Sequence, residues 1–157
     1  HGPQGGDEIN VNTSPDGEIK NYGWGISSYG EHYGGQIDSN SERYKIAPLN
    51  KSHAKYGFIE PLKYFTPSIA PTQIIKTEKF IKIPNKNIIY FGALGYDVEE
   101  GDLSIHQLIL NQNLKIEQHN IMPLDERVRD MIYIEELNKI FLFLETSGSI
   151  GMLEVDN

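Results

Sequence analysis

The sequence has no cysteine among its 157 residues, which excludes disulfides and thiolate metal ligands and leaves the redox compartment unread. It also lacks any run near the ~20 apolar residues of a membrane-crossing helix; the most apolar run, 140–144, has strand length. No charged-then-apolar leader opens the chain, so an export signal is expected upstream of His1 or nowhere. Basic residues are few: 14 Lys and Arg stand against 22 Asp and Glu, for a net charge of −8. That balance repels a phosphate backbone, so nucleic acid is not an expected partner. The five histidines show no HExxH and no paired zinc spacing, and His106 and His119 are expected to be exposed or at a sheet edge. Without GxSxG, a P-loop or GxGxxG, hydrolase, nucleotide-hydrolysing and dinucleotide-binding readings have no support.

Helical periodicity is scarce too. Short β-rich runs recur instead between turn residues, predicting strands over 8–12, 21–27, 62–65, 70–77, 87–93, 104–111, 115–122, 129–134, 139–145 and 148–155. Tight turns are predicted at Pro15-Asp16-Gly17, Pro84-Asn85, Glu100-Gly101-Asp102, Asn111-Gln112-Asn113, Glu136-Leu137-Asn138 and Ser147-Gly148. From Asn87 onward strand and turn alternate regularly, the pattern of a meander in a sandwich or propeller. At roughly 45 residues per blade the chain supplies about three blades. Residues 29–59 break the pattern, being rich in Gly, Ser, Asn, Lys and Tyr, and read as a long insertion or lid.

Four groups carry candidate chemistry. In Gly2-Pro3 the proline removes a backbone donor and leaves carbonyls to face a ligand, though an ordinary turn reads the same way. Asp7 and Glu8 are hard oxygen donors or a solvated acidic loop. Arg127 and Arg129 flank Val128, so on a strand both guanidinium groups share a face and can grip carboxylates; the alternative is a solvated strand paired to Asp125, Glu126 and Asp130. Ser68 sits in the proline-rich stretch TPSIAPT.

Taken in order, HGPQGGDEIN, NYGWGISSYG, PSIAPT and RVRD resemble the C-terminal half of the soluble aldose sugar dehydrogenases that use pyrroloquinoline quinone (PQQ), the glucose/sorbosone dehydrogenase family. The resemblance covers most of the chain outside 29–59. It implies an all-β fold: part of a six-bladed β-propeller, with residues 1–157 as the C-terminal portion of a single domain. The implied activity is oxidation of an aldose at its anomeric carbon to a lactone, hydride passing to the quinone while a histidine removes the hydroxyl proton. That histidine is implied to lie in the N-terminal half, so the chain reads as a fragment that would not oxidise sugar alone. By the same resemblance, the carbonyls of Gly2 and Pro3 hold the calcium that bridges to the quinone. Arg127 and Arg129 anchor the quinone's acids, and Ser68 offers it a hydroxyl. The Glu8 side chain and the Tyr22 backbone hold a second, structural calcium, across a connection, NTSPDG, longer than usual. Gly95 stands where relatives often carry a quinone-pairing lysine. The implied location is periplasmic or extracellular, with an aldose as partner, no membrane, and self-association through open propeller edges. A non-catalytic calcium-binding propeller serving as an interaction module is the alternative.

Overall fold

The computed structural model describes residues 1–95 and 102–155. Two compact units divide the chain, His1–Ile69 and Ala70–Asn157.

In the first unit, β1 (Asp7–Ile9) pairs antiparallel with β2 (Lys63–Phe65), setting Asp7 opposite Phe65 and Ile9 opposite Lys63. The strand expected over 8–12 thus ends at Ile9. The strand expected over 21–27 does not form: Gly23 and Gly25 take positive φ values of 80° and 83°, and the Ile26 and Ser27 amides both donate to the Gly23 carbonyl. Left-handed glycines turn the chain where alternation alone reads as extended. Between the strands, residues 29–59 contain α1 (Glu42–Ile46), capped by the Ser41 hydroxyl accepting from the Tyr44 amide, and a 3-10 turn at Ala54–Tyr56. Leu49 and His53 of this stretch are buried.

The second unit carries two antiparallel meanders. β3 (Pro71–Lys76), β4 (Asn87–Ala93), β5 (Ser104–Leu110) and β6 (Ile116–Pro123) form a four-stranded sheet in chain order. β7 (Val128–Ile134), β8 (Lys139–Leu144) and β9 (Ser149–Leu153) form a three-stranded one. Seven of the ten predicted strands lie here, and each forms within a few residues of its expected bounds. The turns follow local chemistry: Asn85 and Asn138 adopt positive φ values of 60° and 50°, which asparagine tolerates better than most residues. The turn predicted at Glu100-Gly101 falls outside the described residues. Blade-like meanders with almost no helix are an all-β architecture consistent with part of a β-propeller.

The two sheets of this unit share one core of Phe80, Ile88, Tyr90, Ile105, Val128, Met131, Ile140 and Leu142. Strand β5 lies between β4 and β6 with every residue buried, so the expectation for its histidine fails: His106 is 1 % exposed. A strand covered on both faces has no polar side to offer. The ring is instead satisfied internally, with Nε2 2.9 Å from Asp102 Oδ2 and Nδ1 2.7 Å from His119 Nε2. Burial pushes the Asp102 carboxyl up, but the His106 and Ser104 hydrogen bonds outweigh it and hold the group below its ordinary value.

Truncating a fully buried core side chain removes its transfer energy and leaves a cavity. Ile140→Ala, at a position 0 % exposed, is expected to lower unfolding free energy by about 2–5 kcal/mol in chemical denaturation. Ile132→Ala, on the same sheet but 60 % exposed, is expected to change it by less than about 0.5 kcal/mol.

Candidate functional site

The N-terminal loop is shaped by one carboxylate. Asp7 is 0 % exposed, and its Oδ1 accepts from the Gly2 amide at 2.8 Å. Its Oδ2 accepts from the Ile69 amide at 2.9 Å and from the Ser68 hydroxyl at 2.5 Å. Buried charge is tolerated because several donors meet it. The loop so tethered is too tight for side chains: a Cβ on Gly2 would sit 1.9 Å from the Gly5 oxygen, and one on Gly30 would sit 2.0 Å from that same oxygen. Among the described residues neither the Gly2 nor the Pro3 carbonyl accepts a hydrogen bond. Those two oxygens therefore suit the hard-cation role that the sequence motif implies. Ser68, read as a cofactor contact, gives its proton to Asp7 and keeps only lone pairs to offer.

Glu8 follows on β1 and points to a different partner. Its Oε1 lies 3.0 Å from His53 Nε2, while Oε2 accepts from the Asn10 side-chain amide at 3.2 Å. The other ring nitrogen, His53 Nδ1, is 2.9 Å from the Tyr22 carbonyl oxygen. Both oxygens that the resemblance gives to a second calcium thus face one imidazole. Glu60 holds the backbone beneath that ring, its Oε1 accepting from the His53 and Ala54 amides at 3.0 Å and 2.8 Å. Its Oε2 accepts from the Tyr29 hydroxyl at 2.7 Å. The Ala54 amide first, then the Tyr29 hydroxyl, holds the Glu60 carboxyl below the usual glutamate range. The carboxylate in turn, helped by burial, pushes the Tyr29 phenol up to about 12.

In the second unit, Arg127 and Arg129 reach one carboxylate. Arg127 Nη1 is 3.2 Å from Glu145 Oε1 and Arg129 Nε is 2.5 Å from Oε2. The shared face predicted from their spacing is present, with Val128 buried opposite. Their partner is Glu145, not the sequence neighbours Asp125, Glu126 and Asp130. It is placed by pairing of β7 with β8, where Val128 faces Leu144 and the Glu145 amide donates to the Arg127 carbonyl at 2.8 Å. Arg127 Nε is buried with no hydrogen-bond partner among the described residues, and so are Glu126 Oε2 and Glu145 Oε2, the Arg129 approach to the latter being an ion-pair contact without hydrogen-bond geometry. An unsatisfied buried guanidinium donor fits an acidic ligand.

With these clusters in view, comparison with known proteins is informative. The sequence model of the family "Glucose / Sorbosone dehydrogenase" matches residues 1–152. The chain belongs to the glucose/sorbosone dehydrogenase family. It is 29 % identical over 154 residues to the uncharacterized protein slr1608 of Synechocystis sp., covering 98 % of this chain and 32 % of that protein. It is 32 % identical over 96 residues to the aldose sugar dehydrogenase YliI of Escherichia coli, covering 60 % of this chain and 22 % of that protein. The chain therefore spans about a third or less of these relatives' length. No solved structure matches it significantly.

For a member of this family the sequence left three residues unassigned that the structure makes central. His53 lies far in sequence from Glu8 and Tyr22, Glu60 reaches Tyr29 across 31 residues and the His53 and Ala54 amides across a short loop, and Glu145 meets the arginines through strand pairing, so no local spacing marks them. Asp7 was legible as an oxygen donor, but its role is to hold the loop. Among the described residues no three His, Asp or Glu side chains converge as a metal cluster, so a calcium ion here would depend on carbonyl oxygens. No helix among the described residues is long and apolar enough to cross a membrane.

Asp7→Asn turns one accepting oxygen into a donor facing donors, and is expected to cost about 3 kcal/mol in unfolding free energy, against about 1 kcal/mol for Ser68→Ala. Denaturant titration of both variants checks the ratio. The depressed Glu60 group contributes stability that is complete above the ordinary glutamate range and is lost as pH falls through its lowered value. Glu60→Gln is expected to flatten that acid limb, and to return the Tyr29 titration from about 12 towards 10.0, read as phenolate absorbance.

Proposed function

We propose that this chain contributes cofactor-anchoring and calcium-binding parts of a PQQ-dependent sugar dehydrogenase that oxidises an aldose to its lactone. The observation that carries the reading is the convergence of Arg127 and Arg129 on one carboxylate, with a further guanidinium donor of Arg127 buried and unsatisfied. PQQ carries three carboxylates, and two co-facing guanidinium forks are the side chains that bind such groups bidentately. In support, the Gly2 and Pro3 carbonyls are uncommitted in a loop fixed by Asp7, as calcium ligands would need to be. When bound, the quinone supplies the hydride acceptor. Arg127 and Arg129 would hold its acids; in the other unit the Ser68 hydroxyl oxygen and the Gly2 and Pro3 carbonyls are the groups that would be offered to the cofactor and to calcium. The base that takes the sugar's hydroxyl proton is assigned to none of the residues placed here. The named activity of the E. coli relative, aldose sugar dehydrogenation, agrees with this proposal.

A second reading is favoured by two residues. Gly95 stands, by the sequence resemblance, where a quinone-pairing lysine is expected, and Glu145 already engages both arginines, which together fit a calcium-binding module that has lost the cofactor.

Titration of the full-length protein with PQQ at saturating calcium separates the two. The dehydrogenase reading expects a saturable absorbance change, weakened about ten- to hundredfold by Arg127→Ala and comparably by Arg129→Ala, the range for losing a charge-assisted hydrogen bond. No spectral change in the unmodified protein overturns it and leaves the binding module.

A further inference from the structure

We infer that Glu145 sets the specificity of the arginine pair: it fills the place of a single carboxylate between the two guanidinium groups, so that the pair accepts a ligand with several carboxylates and rejects a ligand with one. The inference rests on the proposed function for what the arginines hold. Two guanidinium forks on one strand face, with nothing between them, would take any carboxylate that fits. Among these is the aldonate formed when a lactone takes up water, which carries one such group. Here the position is occupied from within the chain, with Glu145 Oε1 3.2 Å from Arg127 Nη1 and Oε2 2.5 Å from Arg129 Nε.

Backbone geometry holds the carboxylate there. Glu145 directly follows β8, and its amide donates to the Arg127 carbonyl at 2.8 Å, so the glutamate is tied to a residue it neutralises. The register of β7 against β8 shifts between Val128, opposite Leu144, and Asp130, opposite Phe143. Arg129 is the extra residue of that bulge, and β7 is an edge strand of its sheet; bulges at sheet edges re-aim side chains. The Glu145 side chain is also the least exposed of the three, at 29 % against 36 % for Arg127 and 50 % for Arg129. An anion tethered this closely acts at an effective concentration of about millimolar or above, which a free monocarboxylate must exceed to displace it. The pairing nevertheless leaves the forks unsaturated. Each guanidinium has five N–H donors, Arg127 Nε is buried without a hydrogen-bond partner, and so is the Glu145 Oε2 that Arg129 approaches. Two positive charges against one leave attraction for a further anion, and a ligand with several carboxylates can reach the remaining donors at more than one point.

The test uses the full-length protein and gluconate as the monocarboxylate, at constant ionic strength, with two readouts. Melting temperature is expected to stay constant as gluconate is added to the unmodified protein and to rise in Glu145→Gln, because a ligand that binds only the folded state stabilises it. Adding Arg127→Ala to Glu145→Gln is expected to abolish the rise. Glu145→Ala, which empties the position, is expected to behave as Glu145→Gln does and covers the case in which the amide disturbs folding. In PQQ titrations at saturating calcium, the same gluconate is expected to raise the apparent Kd about tenfold in Glu145→Gln and less than about twofold in the unmodified protein. Equal responses of the unmodified protein and both variants, or a rise that persists without Arg127, overturn the inference. If no form binds PQQ the proposed function fails, while the melting shifts in gluconate still decide the role of Glu145. If PQQ binds and neither variant gains a response to gluconate, the inference fails and the proposed function stands.

Discussion

A single buried carboxylate organises the part of the molecule from which the calcium reading comes. Asp7 accepts from the Gly2 amide on one oxygen and from Ile69 and Ser68 on the other, bridging residues sixty-odd positions apart. Removing a charge from water is costly unless donors replace the solvent, so the side chain is stable only with the loop folded back on it and the 68–69 segment alongside. The dependence runs in both directions. The loop's glycines allow a backbone approach that any Cβ would block, and the carboxylate is what holds that approach closed. The free carbonyls of Gly2 and Pro3 are a by-product of this arrangement, since the Gly2 amide faces inward to Asp7.

Where structure follows local chemistry, it was legible in the sequence. The meanders from Asn87 onward alternate and turn at asparagines and glycines, and they form close to their predicted bounds. The shared face of Arg127 and Arg129 also follows from strand geometry alone. What failed did so for reasons of context. The stretch around Tyr22 alternates like a strand but carries two glycines in left-handed conformations, and their freedom outweighs a weak β pattern. His106 looked like an edge residue because periodicity cannot reveal that both faces of β5 are covered. Glu145, His53 and Glu60 were invisible because each acts across pairing or loop closure, which no spacing rule encodes.

The first unit meets its acceptor oxygens with groups of its own. Glu8 and the Tyr22 carbonyl face His53, Glu60 takes two amides and the Tyr29 hydroxyl, and Asp7 takes two amides and a hydroxyl. In a chain of net charge −8 carboxylates are in excess, and a buried one such as Asp7 must find donors within the fold. Backbone amides serve that purpose well, because they need no counter-charge and are fixed by the fold itself.

The pairing of Arg127 and Arg129 with Glu145 bears on how an acidic ligand would bind. Two guanidinium groups on one carboxylate leave one unit of positive charge, and an exposed pair of this kind contributes little to stability because solvent competes for it. Its value is geometric. A long arginine side chain loses rotamer freedom when it binds an anion, and that cost falls on binding unless another group has already ordered it. Glu145, fixed by backbone pairing to Arg127, orders both forks before any ligand arrives. The same carboxylate also lowers the net attraction for a second anion, so the arrangement exchanges electrostatic pull for preorganisation. The balance favours a ligand whose several carboxylates can use the forks' outward donors together, and disfavours a monovalent anion that would have to displace Glu145 alone.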